Sequence, residues 1–294
     1  MFEKLFTTVV LILTLFLQNL FVLPVRHAQD VQLKAVLIAD IHADADFTRD
    51  RMDNMREMFA AIGRTQNDAD TIVMAGDLTN SGSFLEYVHL QNCLNAYCRI
   101  PDRVPEMGNH DSWNHSDDPD YGNAERYFKS FCRWNGIKTE NVYYTKRVNG
   151  VPFIVLGVEA CDFGDPYHSE TQLNWFEREL NAAVTEGTPV FVVCHRDFRN
   201  LGESAGRMRQ ILTDASLAAS APIIFVSGHY HTIGANTYKQ QNDKLIFLNL
   251  PSMQYTDDRG LMFLAEVTAN TVTLTGTYIL PNAPAQGYAY TIAY

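Results

Sequence analysis

Six short runs of apolar, largely β-branched residues recur along the chain: Lys34 to Ala39 (KAVLIA), Thr71 to Ala75 (TIVMA), Pro152 to Val158 (PFIVLGV), Pro189 to Cys194 (PVFVVC), Ala221 to Ser227 (APIIFVS) and Lys244 to Leu250 (KLIFLNL). A strand with one face in water alternates apolar with polar residues. A run apolar at nearly every position needs cover on both faces, the condition met by parallel strands of an α/β sheet. The intervening segments supply that cover, because 47–65, 83–97, 124–134, 169–185 and 203–217 have helix-like spacing. Ser169-Glu170-Thr171-Gln172 spells a capping box, after which Leu173, Phe176, Leu180 and Val184 share one face. Toward the C-terminus, 261–267 and 271–279 alternate more and no helix follows, which predicts antiparallel pairing; the Tyr-rich 285–294 reads as an edge strand or a surface tail.

Past residue 30 there is no repeat, linker or low-complexity block, so 31–294 reads as a single domain. The N-terminus differs in composition. Leu5 to Leu17 is thirteen apolar or Thr residues, the length of a signal-peptide core, with Ala28 before the best processing point, so 1–28 is expected to be an export signal. If the pair Gln18-Asn19 is tolerated, the apolar stretch runs to Leu23, close to the ~20 residues that span a bilayer, and the segment is an uncleaved anchor. Either way the globular part is expected outside the cytoplasm, periplasmic or extracellular, with a membrane partner only in the anchored case. The balance of 23 Lys+Arg against 34 Asp+Glu, with no dense basic run, speaks against nucleic acid as a partner. Five scattered Cys form neither a disulfide framework nor a CxxC zinc motif, although Cys93 and Cys98 could bridge across an unwound helix end.

The residues that follow the expected strands are polar and of metal-ligating types. Asp40-Ile41-His42 follows the first run and Gly76-Asp77 the second; Gly108-Asn109-His110-Asp111 follows Val104 to Met107; His195 follows PVFVVC, and Gly228-His229-Tyr230-His231 follows APIIFVS. Ligands of open α/β sheets bind outside the carboxyl ends of the strands, so these five clusters should converge. Asp, Asn and His without thiolate suit divalent Mn, Fe, Co, Ni or Zn. Seven candidates, Asp40, His42, Asp77, Asn109, His195, His229 and His231, exceed the three protein ligands of one open catalytic zinc site, which points to two metal ions sharing a carboxylate such as Asp77. Such a pair clamps the attacking and leaving oxygens of an in-line displacement, and a phosphate ester is the substrate class that gains most.

The ordered set D-x-H, G-D, G-N-H-D, H and G-H-x-H, spread over residues 40 to 231, resembles the calcineurin-like metallophosphoesterase superfamily. The resemblance implies a four-layer α/β/β/α sandwich of two mixed sheets flanked by helices, with a dinuclear site at one end. It implies that Asp40, His42 and His231 hold one metal, Asn109, His195 and His229 the other, and that Asp77 bridges. His110 would stabilise the transition state or protonate the leaving oxygen, steered by Asp111, while a metal-bridging hydroxide attacks phosphorus. The implied activity is an exported, metal-dependent hydrolase of small phosphate esters, either phosphodiesterase or phosphomonoesterase.

Two departures narrow the resemblance. Purple acid phosphatases have Gly where His42 stands and Tyr where Asn80 stands; protein phosphatases read G-D-x-V-D-R-G where this chain reads Gly76-Asp77-Leu78-Thr79-Asn80-Ser81-Gly82. The stretch A-G-D-L-T-N-S-G looks closer to the bacterial cyclic-nucleotide phosphodiesterase-like group. A reading from another class is a non-catalytic binding scaffold on the same fold, disfavoured because no ligand position is lost. Outside the motifs, His89 reads as a helix-face residue and His115 and His168 as loop residues at the rim. Arg196, Tyr230 and Asp162 read as scaffold within reach of substrate.

Overall fold

The computed structural model describes residues 30–44, 49–112, 122–159, 168–197, 199, 201–234, 237–253 and 260–294. The expected export segment, His115, Cys161 and Asp162 lie outside them. Among the described residues the strands are β1 (Leu33–Ile38), β2 (Thr71–Met74), β3 (Asp102–Pro105), β4 (Tyr144–Val148), β5 (Val151–Val155), β6 (Val190–Val193), β7 (Ile223–Ser227), β8 (Tyr238–Gln240), β9 (Leu245–Asn249), β10 (Leu261–Val267), β11 (Thr271–Tyr278) and β12 (Ala283–Ala293). The helices are α1 (Arg49–Thr65), α2 (Phe84–Tyr97), α3 (Ala124–Trp134), α4 (Glu170–Val184) and α5 (Ser204–Ala218).

They form two mixed six-stranded sheets, ordered β12-β11-β10-β1-β2-β3 and β4-β5-β6-β7-β9-β8. The apolar runs pair in parallel, β1 with β2, β5 with β6, β6 with β7 and β7 with β9. β10 to β12 add antiparallel strands to the first sheet, and the Tyr-rich terminus is its edge. β4 enters the second sheet through a hairpin closed by Asn149-Gly150, both at positive φ (51° and 84°), as a two-residue turn of the primed kind requires.

Because strand side chains alternate between faces, each run of the second sheet divides its residues between two cores. Phe153, Val155, Phe191, Val193, Ile224, Val226, Ile246 and Leu248 pack toward the first sheet, in one cluster with Met55, Phe59, Leu90 and Phe128 of α1 to α3. Ile154, Val190, Val192, Ile223, Phe225 and Leu245 face the other way, against Leu173, Phe176 and Leu180 of α4 and Met208, Ile211 and Leu212 of α5. The layers are thus helices, sheet, sheet, helices, as expected. Phe153 and Phe191 stack between the sheets at 5.0 Å, each fully buried ring contributing roughly 1.5–3 kcal/mol. Across the two sheet edges Tyr238 of β8 and Tyr290 of β12 stack at 3.8 Å with planes 6° apart.

The helix starts show one local correction. Ser169 Oγ accepts from the Gln172 backbone N–H at 3.1 Å, yet the return bond of a capping box is not made by Gln172. Its amide turns to Gly157 instead, donating to the carbonyl and accepting from the N–H at 3.0 Å each, and the Ser169 N–H donates to Glu159 at 2.6 Å. The complete box lies at Ser83 and Glu86, where α2 begins. Cys93, Cys98, Cys132 and Cys194 are buried free thiols.

His168 belongs to this packing and not to a pocket rim. It is 3% exposed, with Nε2 3.8 Å from Cys194 Sγ. Burial pushes its pKa down to about 4, below the ordinary 6.5, so between those values the unfolded chain binds a proton that the folded chain excludes. Stability from this group is therefore complete above pH 6.5 and is lost as pH falls toward about 4, by up to roughly 3 kcal/mol. Urea titrations of the native chain and His168→Gln across that window should show a shallower pH slope in the variant, and parallel slopes would contradict this account.

Candidate metal centre

The five clusters leave the carboxyl ends of β1, β2 and β3 in one sheet and β6 and β7 in the other, and they meet where the two sheets face each other. The backbone does something unusual at this meeting point. Among the described residues, six non-glycine positions have positive φ; Asn149 is the hairpin turn, and the other five are Asp40 (54°), His42 (47°), Asp77 (48°), His229 (77°) and His231 (58°). A left-handed non-glycine costs of order 1–3 kcal/mol, and such strain persists only where the surroundings overdetermine it. Here they do. The Asp40 N–H donates to Gly76 O at 3.1 Å and the His42 N–H to Asp77 O at 2.9 Å. The Asp40 carboxylate accepts the His229 N–H at 3.0 Å, and Asp77 Oδ1 accepts the His110 N–H at 2.8 Å. Ser252, which the motif reading passed over, donates its hydroxyl to Asp40 O at 2.9 Å.

The glycines of the motifs serve close approach. A Cβ on Gly108 would overlap the Asp77 backbone and carboxylate, and one on Gly228 would stand 2.6 Å from Asp40 Oδ2.

The side chains form two groups that share Asp77. Asp40, His42, Asp77 and His231 offer ligand atoms within 4.8 Å of one another, as do Asp77, His195 and His229. His42 Nε2 lies 3.1 Å from His231 Nε2, and His231 Nε2 lies 3.0 Å from Asp40 Oδ1. His195 donates Nδ1–H to Ala75 O at 2.8 Å, which aims Nε2 at Asp77 Oδ2 across 3.0 Å. Asn109 stands beside the second group, its Oδ1 accepting from Arg196 Nε at 3.2 Å.

Lone pairs facing lone pairs repel unless a positive charge stands between them. Burial pushes both His42 and His229 down to about 3, so both are neutral donors at physiological pH, the form a metal takes. Burial also lowers His195, but the Asp77 charge more than reverses it, to about 10; a proton fills the gap that a cation would. Burial raises Asp77, and the neighbouring His195 overrides it, holding the carboxyl well below the usual range. A cluster in which His42 and His229 are neutral donors, and in which protonation of His195 offsets the Asp77 charge where a cation would, fits two divalent ions.

His110 donates Nδ1–H to Asn80 O at 2.9 Å, and its ring stands edge-on to His42 at 4.7 Å between centroids. Asp111 corrects the expectation that it steers this ring. Its carboxylate is fully buried and accepts from the N–H groups of Leu78, Thr79 and Gly108 at 2.9–3.0 Å, from the Thr79 hydroxyl at 2.6 Å and from the Tyr87 hydroxyl at 3.3 Å. It ties the loop after β2 to the loop after β3, and the orienting partner of His110 is the backbone carbonyl of Asn80. Glu106 was also passed over. It is buried beneath the site, with Oε2 2.5 Å from where a Cβ on Gly76 would lie, and burial pushes its carboxyl well above the usual range. The sign available in the sequence was an acidic residue at the end of a buried strand.

The calcineurin-like phosphoesterase family model matches residues 33–233, more than half of the chain. The chain belongs to the calcineurin-like phosphoesterase family. No curated protein matches it at a significant level. Among solved structures, a dimetal phosphatase from Danio rerio is similar over 90% of this chain and 100% of its own, at 16% identity and a TM-score of 0.64. A purple acid phosphatase from yellow lupin is similar over 89% of this chain and 53% of its own, at 14% identity and a TM-score of 0.61. At such identities the likeness is one of fold. Family and donor set together make the chain a metal-dependent phosphoester hydrolase with ligands for two ions.

Asp77 is the residue common to both groups, so Asp77→Asn should reduce bound metal in this phosphoesterase from two ions per chain to one or fewer, by elemental analysis after dialysis. Two ions retained in that variant would exclude a bridging role.

Proposed function

We propose that the chain is an exported hydrolase of small phosphate esters, in which Asp40, His42 and His231 hold one ion, Asn109, His195 and His229 the other, and Asp77 both. The observation that carries this reading is the sharing of Asp77 by two donor groups. Two divalent ions held by these residues would neutralise phosphoryl oxygens and would make water a competent nucleophile near neutral pH. The chain's own residues do the rest.

His110 is the group we assign to the leaving oxygen. With Nδ1–H donated to Asn80 O, we assign the chemistry to Nε2, and the short bond to a backbone carbonyl sets the direction of the ring. A proton carried at Nε2 can be donated to the departing alkoxide or hydrogen-bond a non-bridging oxygen as charge builds. Because the His110 N–H is held by Asp77 Oδ1, the acid and the bridging carboxylate keep a fixed separation. Arg196, 8% exposed and bonded to Asn109, adds a cation at the edge where a phosphoryl group would sit.

Export is supported by the apolar run Leu5 to Leu17 and the small residue Ala28 before the processing point. Among the described residues no helix is long and apolar enough to cross a membrane. Full-length protein recovered from a cytosolic fraction would overturn export.

His110→Ala should lower kcat on p-nitrophenyl phosphate esters by roughly 10²- to 10⁴-fold with both metals retained. His110→Ala with native kcat would remove the residue from the chemistry, and a fall accompanied by metal loss would reassign it to the metal-holding framework.

A further inference from the structure

A cavity of about 220 Å³, apolar at Leu245 and Phe247 and rimmed by charged side chains, lies on the far side of the second sheet, away from the first sheet. Its walls follow from strand parity. Leu245, Phe247 and Asn249 alternate onto the outer face of β9, Ser227 ends the outer-face series of β7, and Lys239, paired directly with Phe247, shares that face. Arg209 and Thr213, one turn apart on α5, close the opposite wall. α5 covers β7 and β9 but leaves the edge strand β8 open, and the cavity is the gap.

Its chemistry is cationic in a chain whose net charge is −11. Arg199, Arg209 and Lys239 line it, against the single carboxylate of Asp197. Asp197 is already engaged, by Arg199 Nε at 2.7 Å and by the Tyr230 hydroxyl at 3.0 Å, and the Arg199 guanidinium lies 4.0 Å over the Tyr230 ring. The side chain of Lys239 makes no hydrogen bond or ion pair among the described residues. The floor adds a neutral donor. Asn249 Nδ2 donates to Gly228 O at 2.7 Å and to Ser227 Oγ at 3.0 Å, so the Ser227 hydroxyl keeps its own hydrogen for the cavity. Excess positive charge, planar guanidinium forks and a hydroxyl donor in a concave site suit a phosphate or carboxylate.

We propose that this cavity is a second anion site, binding a phosphate-like group that does not react. It sits beside the metal centre: Ser227 is two residues before His229, within roughly 7 Å along the chain, and Tyr230, between His229 and His231, touches both Asp197 and Arg199. The anion is either the distal group of a substrate whose phosphoester lies at the metals or a free phosphate.

Calorimetric titration of the metal-loaded full chain with inorganic phosphate tests the site separately from the metal centre. The native chain should bind two phosphates, Arg209→Gln/Lys239→Gln should retain only the metal-centre phosphate or bind the second at least tenfold more weakly, and Asp77→Asn should retain only the cavity phosphate. All the cavity substitutions are of exposed side chains, and circular dichroism checks that the fold is kept. Phosphate binding by the double variant indistinguishable from native would overturn the proposal, as would a native chain that binds only one phosphate and loses it in Asp77→Asn. Cavity binding that persists while Asp77→Asn changes nothing would uphold the second site and count against the metal assignment. The source of the anion follows from kinetics of the double variant. A KM raised at least tenfold for an ester bearing a distal phosphate, with KM unchanged for bis-p-nitrophenyl phosphate, upholds the site as part of substrate recognition; both KM values unchanged, with phosphate binding lost, uphold it as a site for free anion.

Discussion

Seven nitrogen and oxygen donors gathered at the junction of two apolar sheets repel one another unless positive charge stands between them, and the backbone of the fold holds them there. Asp40, His42, Asp77, His229 and His231 all sit in the left-handed region, where a side chain costs free energy that a loop free to relax would shed. The parallel strands prevent relaxation: they are buried on both faces, and their carboxyl ends are tied together by Asp40 to His229, Asp77 to His110 and Asp111 to the loop after β2. The backbone strain is held by the fold, and the repulsion between the donors' lone pairs is what cations at this point would relieve. That demand for positive charge suits the centre to metal ions.

Supporting groups determine what each donor can do. His195 presents Nε2 because Ala75 O takes Nδ1–H, and His110 presents Nε2 because Asn80 O does the same. In each case a backbone carbonyl fixes the orientation of the ring. Asp111, five times an acceptor, serves the geometry of two loops. The positions of these partners explain why the motif glycines leave no room for a side chain: at Gly108 and Gly228 one loop's backbone touches the next loop's carboxylate.

Much of this was legible in the sequence for a physical reason. Strands buried on both faces must be apolar throughout, so β1, β2, β5, β6, β7 and β9 announced themselves, and the residues just beyond them could only lie at the strand ends. Elements that escaped obey no such constraint. β4 is polar at Lys146 and Arg147 because it is an edge strand, although Asn149-Gly150 was a readable hairpin signal; β8 is three residues long with two of them exposed. The roles of Asp111 and Asn80 were not legible, because adjacency in sequence says nothing about which way neighbouring side chains point, and a backbone carbonyl acts as a partner whatever residue carries it. Glu106, Ser252 and Asn249 escaped because they support the ligands from behind and belong to no ligand motif.

The central claim is that one buried carboxylate holds two ions. Anomalous diffraction from crystals of the metal-loaded chain, recorded at the absorption edge of the bound metal, tests it most directly. Two peaks flanking Asp77, separated by ~3.5–4 Å, one against Asp40, His42 and His231 and the other against His195 and His229, are the predicted result. A single peak, or two peaks neither of which touches Asp77, would contradict it.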